Sequence, residues 1–365
     1  MHCLTENLKL QMIQKFKKGL LLFIAITFIA TGYSQTKKEK IDKLLNEKFK
    51  TNSTGAIVLI SKKGKPTYRK AFGLANLELN VKMTPENRIE IGSMTKQFTA
   101  VSILMLVEQG SISLEDEITK FIPDYPTHGQ KITVHHLLNH TSGIKSYTKI
   151  RKLSKIARND IKPIELINFF KDEPMDFNSG EKYKYNNSGY IILGYIIEKT
   201  SGISYEEFIQ KHIFDTLNMK SSTYNSQSKL IKNRASGYHK RKGYRNAMFI
   251  SFSLTYAAGS LTSTVDDLNT WQQALIQYKL LKKETLQKAY TNYTLNNGEK
   301  SNYGYGWNIK TINDELSYEH GGSIFGFKSM GVYIPSKNLY VVILTNCDCI
   351  SPTQLTRDIT KISIE

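Results

Sequence analysis

Ser93-Met94-Thr95-Lys96 sets a hydroxyl and an amine three residues apart. The glycine-bearing turn Ile91-Gly92 precedes them and the apolar stretch 98–107 follows. That context predicts the N-terminus of a buried helix, on which residues three apart share a face. A serine hydroxyl is a weak nucleophile until a base takes its proton, and a lysine amine on the same face can do so once its pKa is lowered. The helix N-terminus adds free backbone N–H groups and a positive dipole end. The N–H of Ser93 itself can then serve as half of an oxyanion hole. The S-x-x-K spacing alone is cheap. It recurs at Ser34/Lys37, Ser142/Lys145, Ser146/Lys149, Ser179/Lys182 and Ser226/Lys229. Those copies lie at the end of a leader or in polar, turn-like stretches. Only Ser93 opens a helix that reads apolar nearly all round, the pattern of a helix at the centre of a domain.

Two further clusters follow in order: Tyr185-Asn186-Asn187, and His320-Gly321-Gly322-Ser323. Glycines at 321 and 322 let a strand backbone come close to a substrate. The ordered set S-x-x-K, Y-x-N, H-x-G resembles the serine β-lactamase and penicillin-binding-protein superfamily, in its class C β-lactamase and D,D-carboxypeptidase branch. The resemblance covers residues 40–350. It extends to Leu137-Leu138-Asn139-His140-Thr141-Ser142-Gly143, to 208–219, to Ala258-Gly259-Ser260-Leu261-Thr262-Ser263 and to Tyr303-Gly304-Tyr305-Gly306-Trp307.

The resemblance implies an α/β (α+β) fold, an antiparallel sheet flanked by terminal helices with a helical lobe beside it. It implies a serine hydrolase that forms an acyl-enzyme on Ser93 and cleaves an amide or ester, in a β-lactam, a D-amino-acid peptide or an ester. Ser323 N–H would complete the oxyanion hole beside Gly322. Asn187 would hold Lys96 and a substrate amide. Tyr185 would act as phenolate or later protonate the leaving group, and the sequence leaves the base open between Lys96 and Tyr185. His320 stands where many relatives carry lysine; the resemblance makes it a substrate-binding residue that can hydrogen-bond an anionic group, though it holds a full charge only when protonated. The His-Gly-Gly element is more similar to D,D-carboxypeptidases, esterases and D-aminopeptidases than to class C β-lactamases, which carry Lys-Thr-Gly. No Ser-Asp-Asn or Lys-Thr-Gly occurs, which sets class A enzymes aside.

The elements that must position these groups are legible in outline. Residues 36–50 read as an amphipathic helix, 55–60 and 67–74 as a strand hairpin about Lys63-Gly64. Residues 133–138 read as a short helix capped by Thr133, 163–171 as a helix opened by Pro163, 188–200 and 203–217 as helices about Gly202. Residues 264–281 form another, with Asp266 and Asp267 favourable in its first turn. Strands return at 303–310, 327–334 and 339–344, and 352–362 closes as a helix. The economical arrangement is one antiparallel sheet from both ends of the chain (36–92 and 250–365) beside a helical lobe (93–250). A cleft between them is the default place for a site.

Composition narrows the function. Lys15, Lys17 and Lys18, the apolar run 20–30 and the small residues Thr31, Gly32 and Ser34 read as a secretory signal peptide over 1–34. The run is too short for a membrane span, which needs roughly 20 apolar residues. The expectation is an exported protein, periplasmic or extracellular. The chain carries 50 Lys+Arg against 32 Asp+Glu, a net +18. The excess is spread out, with patches at 37–40, 62–70 and 240–245. Attraction to an anionic cell envelope follows, whereas no aromatic-interleaved basic groove suggests nucleic acid. His136 and His140 have i,i+4 spacing but Leu137 stands where a zinc protease carries glutamate, so no metal and no cofactor is expected. Cys347 and Cys349 read as two small residues at a strand end, a disulfide across one residue being strained. No G-x-S-x-G elbow points to a Ser-His-Asp hydrolase. The alternatives are an esterase or D-aminopeptidase of the same fold, or a non-catalytic envelope-binding homologue.

Overall fold

The computed structural model describes residues 35–365, together with the isolated positions Met12 and Gln14. The signal-peptide reading of 1–34 lies almost wholly outside them. The chain divides into two compact units, 1–42 and 43–365. Helix α1 (Lys37–Lys48) begins in the first. Among the described residues no helix is long and apolar enough to cross a membrane.

The second unit is built on a six-stranded antiparallel sheet. Its strands are β1 (Ala56–Lys62), β2 (Lys65–Phe72), β3 (Asn308–Ile312), β4 (Glu315–Ile324), β5 (Phe327–Ile334) and β6 (Leu339–Thr345), in the order β3-β4-β5-β6-β1-β2. The two ends of the chain meet where β1 pairs with β6, from Ala56 opposite Thr345 to Lys62 opposite Leu339. Both strands are almost wholly buried, which is why they read as continuous apolar runs rather than alternating ones.

The helices are α2 (Thr95–Glu108), α3 (Val134–Leu138), α4 (Pro163–Phe170), α5 (Asn187–Ser201), α6 (Tyr205–Ile209), α7 (Phe252–Gly259), α8 (Val265–Ile276), α9 (Lys283–Ala289) and α10 (Thr353–Ile364). α8 packs on β1 and β6, and α10 on β5 and β6. α5 is the hub of the helices, touching α2, α3, α4, α6 and α7. Phe98 on α2 stacks on Trp271 of α8, ring centroids 4.1 Å apart. Both rings are fully buried.

Several elements differ from the sequence reading. The stretch 303–310 was expected as a strand, but β3 begins only at Asn308 and turns at Asn313-Asp314 into β4. Both turn residues have positive φ, 48° and 62°, the conformation that Asn and Asp tolerate in a two-residue hairpin. β4 was not anticipated as a ten-residue strand, because its paired glycines weaken the strand signal. Residues 203–217 form a short α6 that passes into a wide π-helical turn, Gln210–Asp215. The helix expected over 264–281 ends at Ile276, and α9 follows. Cys347 and Cys349 form a disulfide, Cα atoms 5.1 Å apart. The tight turn that follows β6 brings them within bridging distance. Thr133 does cap α3, accepting from His136 N.

Candidate active site

The nucleophile sits in a three-residue turn immediately before its helix. Gly92–Met94 forms a tight 3₁₀ turn that leads into α2. Gly92 has φ +51°, and a Cβ there would lie 2.9 Å from Ser323 N. The backbone of the turn therefore lies directly on β4, and only glycine fits between them. Gly322 makes the same approach possible from the other side. A Cβ on it would lie 1.9 Å from Ile91 O and 2.4 Å from Ser329 Oγ. Its absence lets Ser329, opposite Gly322 on β5, donate to Ile91 O at 2.8 Å. Gly322→Ala is expected to destabilise the protein by roughly 1–3 kcal/mol, since backbone cannot retreat as a side chain would. A lower urea midpoint at unchanged slope would show this, and an unchanged midpoint would contradict it.

Lys96 is fully buried on α2. Its Nζ lies 3.2 Å from Ser93 Oγ, 2.8 Å from Asn187 Oδ1 and 2.8 Å from Ala258 O. No carboxylate is among these partners, and burial holds the amine well below its ordinary value. The rings of Tyr185 and Tyr190 lie 5.0 and 5.4 Å from Nζ.

Tyr185-Asn186-Asn187 sits where a loop enters α5. Asn186 is its N-cap, accepting from Gly189 N at 2.9 Å, while its own N–H donates to His140 Nδ1 at 3.2 Å. This anchors the two flanking residues. Asn187 turns to Lys96, and Tyr185 to Ser93. Tyr185 as a residue is 37% exposed. Burial nevertheless pushes its phenol up, against a smaller downward pull from a hydrogen bond with Ser93.

His320 is buried on β4. Its Nδ1 contacts Gly321 O at 2.7 Å and its Nε2 contacts Tyr303 Oη at 3.0 Å. A carbonyl only accepts, so Nδ1 carries the proton and Nε2 accepts from the tyrosine. Burial, and then nearby Lys96, lower its pKa to about 3. The ring is neutral at physiological pH, with both nitrogens engaged inside the protein.

The structure thus brings Ser93, Lys96, Tyr185, Asn187, Gly322, Ser323 and His320 into one neighbourhood, though they come from three distant parts of the chain. Ser93, Asn187 and Ser323 line a cleft of about 290 Å³, with Tyr147, Thr148, Ile250, Thr255, Ile324, Phe325 and Asp348 among its other walls. His320 stands behind the wall rather than in it.

Three residues contribute to the site in roles that the sequence reading did not assign. Ala258 O is one. α7 breaks at Tyr256 (φ 36°, ψ −130°), a strained conformation for a bulky residue. The break turns Ala257 O to Thr99 Oγ1 at 2.7 Å and Ala258 O to Lys96. Tyr303 is the second, holding His320. Asp348 is the third, from the disulfide turn. A carbonyl leaves no mark in a sequence, and the other two lie outside the three motifs. Elsewhere His135, His136 and His140 form no metal cluster among the described residues. His135 contacts Tyr305 Oη at 2.6 Å, and His140, Thr141 and Ser142 serve backbone and neighbouring groups around their turn.

The Beta-lactamase family model matches residues 39–354. Penicillin-binding protein 4* of Bacillus subtilis is 29% identical, over 86% of this chain and 72% of its own length. The protein flp of Staphylococcus aureus is 29% identical over 85% of this chain, which spans only 63% of that protein. Among solved structures, the octameric penicillin-binding protein homologue from Pyrococcus abyssi superposes with a TM-score of 0.78 at 33% identity, covering 89% of this chain and 77% of that one. The D-amino acid amidase of Ochrobactrum anthropi, solved with L-phenylalanine amide, shares the fold at TM-score 0.78 and 22% identity, covering 90% and 97% of the two chains. The β-lactamase/transpeptidase-like fold is therefore shared with these structures, and the chain belongs to the Beta-lactamase family of the serine β-lactamase and penicillin-binding-protein superfamily.

Proposed function

We propose that this protein is an exported serine hydrolase that cleaves an amide or ester through an acyl-enzyme on Ser93, in the D,D-peptidase-like, H-x-G branch of its superfamily. The observation that carries the reading is the environment of Lys96. A neutral amine has two N–H donors and one lone pair. Asn187 Oδ1 and Ala258 O can only accept, so they take the two donors. The lone pair is left for the Ser93 hydroxyl. With burial favouring the neutral amine, Lys96 is placed to act as the base for acylation. Tyr185, its phenol pushed up by burial, is a hydroxyl that relays the proton to the leaving group rather than a standing phenolate.

In the forward step Ser93 Oγ attacks the carbonyl carbon and its proton passes to Lys96. The carbonyl oxygen takes the charge, and the N–H groups of Ser93 and Ser323 receive it. Each such donor is worth roughly 10²–10³ in rate. The proton then returns through Tyr185 to the departing amine or alcohol. Water then attacks the acyl carbonyl carbon and gives a proton to the same pair; the bond from that carbon to Ser93 Oγ breaks, the proton passes to Ser93 Oγ, and the acid leaves. Gly322 lets β4 approach, Asn187 holds Lys96 and a substrate amide, and His320 keeps β4 in place as a neutral ring. The basic surface of the exported chain would rest against an anionic cell envelope.

Acylation is expected to rise with pH through the lowered pKa of Lys96 and then level off, because an ammonium has no lone pair to offer. His320, at about 3, adds no limb near neutrality. A profile that falls through that range would contradict this assignment. The function itself is tested by following intact mass and product release with D-amino-acid esters and anilides and with benzylpenicillin. Acylation and turnover of at least one supports the hydrolase. No adduct and no product from any would make the chain a non-catalytic binder.

A further inference from the structure

One charged side chain lines the cleft, and it is acidic. The walls of the Ser93 cleft include Tyr147, Thr148, Ile250, Thr255 and Phe325, and the one Asp, Glu, Lys, Arg or His among the lining residues is Asp348. This is unexpected in a chain of net +18. Residues 238–240 and 244–246 pair as a short hairpin, and its basic residues, Lys240, Arg241, Lys242 and Arg245, are not among the lining residues. Lys96 and His320 are not among the lining residues either, and burial disfavours the charged form of both.

Asp348 is built into place. It sits between Cys347 and Cys349, whose disulfide closes the turn after β6. Its backbone N–H donates to Tyr238 O at 3.2 Å. Its Oδ2 receives His239 Nδ1 at 2.5 Å and Gly326 N at 3.3 Å. The other nitrogen of His239, Nε2, accepts from Met248 N at 3.0 Å. A ring nitrogen that accepts carries no proton, so His239 is the neutral Nδ1–H tautomer. It orients the carboxylate without cancelling its charge. The Asp348 side chain is 28% exposed, so a ligand can reach it.

We propose that Asp348 is a specificity-determining residue that receives the ammonium group of the substrate. The preferred substrates are then amides or esters of amino acids with a free amino group, the apolar side chain resting on Ile250, Ile324 or Phe325. Substrates whose amino group is acylated present no cation to Asp348 and are disfavoured. This rests on the hydrolase reading above and narrows its substrate class.

The test compares kcat/KM for the p-nitroanilides of D-phenylalanine and N-acetyl-D-phenylalanine, in wild type and Asp348→Asn. A hydrogen-bonded charge pair gives about a 10- to 100-fold preference for the free amine. That preference is expected in the wild type, and to be lost in the variant through KM rather than kcat. Asp348→Lys should invert it. A preference for the acetylated substrate in the wild type, or one unchanged in both variants, overturns the proposal. A second measurement needs no variant: D-phenylalaninamide should protect Ser93 from an uncharged fluorophosphonate, and N-acetyl-D-phenylalanine should not. Equal protection by both would also overturn it. Failure of the fluorophosphonate to label Ser93 at all would instead remove the hydrolase reading, so the two failures are separable.

Discussion

Replacing Ser93 with alanine is expected to lower hydrolysis by roughly 10⁴-fold or more. Other hydroxyls face the cleft, on Thr148, Thr255 and Ser323. None of them can take over, because Lys96 Nζ contacts Ser93 and no other side-chain hydroxyl. Ser142 and Ser146 share the S-x-x-K spacing but are committed elsewhere. Ser142 Oγ accepts from Ile144 N at 3.3 Å, and Ser146 Oγ contacts Thr148 Oγ1 at 3.0 Å and accepts from the Asn187 backbone N–H at 3.4 Å. Alanine at either should leave the nucleophile intact. Steady-state rates on an activated ester give the comparison, with the urea midpoint as a check that the fold survives.

Lys96→Met keeps most of the side-chain volume and removes the base. Acylation of Ser93 is expected to fall by roughly 10²–10⁴-fold, the range of a positioned general base. The same change has a thermodynamic signature. Native Lys96 is held well below 10.5 by burial, whereas unfolded Lys96 titrates near that value. Between the two, the unfolded chain binds a proton that the native protein does not, so stability rises with pH across that window. Lys96 contributes fully above 10.5, and the contribution is lost as pH falls to the native pKa. The methionine variant lacks this slope. Urea midpoints of both proteins across the alkaline range measure it. Equal slopes would mean that Lys96 is charged in the fold, and would remove its role as base.

The sequence carried the chemistry of this site better than its walls. Ser93 and Lys96 were legible because the apolar run after them demanded a buried helix, and a buried lysine demands a reason. Tyr185 and Asn187 were legible as a motif, but the part of Asn186 as the cap of α5 emerges only from the backbone. Gly322 was read as an allowance for close approach, and Ile91 O is what approaches. His320 was read as a ligand for an anion. Its two nitrogens are spent on Gly321 and Tyr303, a matter of tertiary packing that no spacing encodes. The hairpin at Asn313-Asp314 was missed because the glycines of β4 disguised the strand. Asp348 lies far along the chain from Ser93, and only the folded turn after β6 brings it to the cleft.

The account stands most directly on the identity of the acylated residue. Intact-mass spectrometry of the protein treated with an uncharged fluorophosphonate, followed by peptide mapping, reads it in one experiment. One adduct per chain, on the peptide that contains Ser93 and absent from Ser93→Ala, is the predicted result. An adduct at another serine, or equal labelling of wild type and Ser93→Ala, would contradict it.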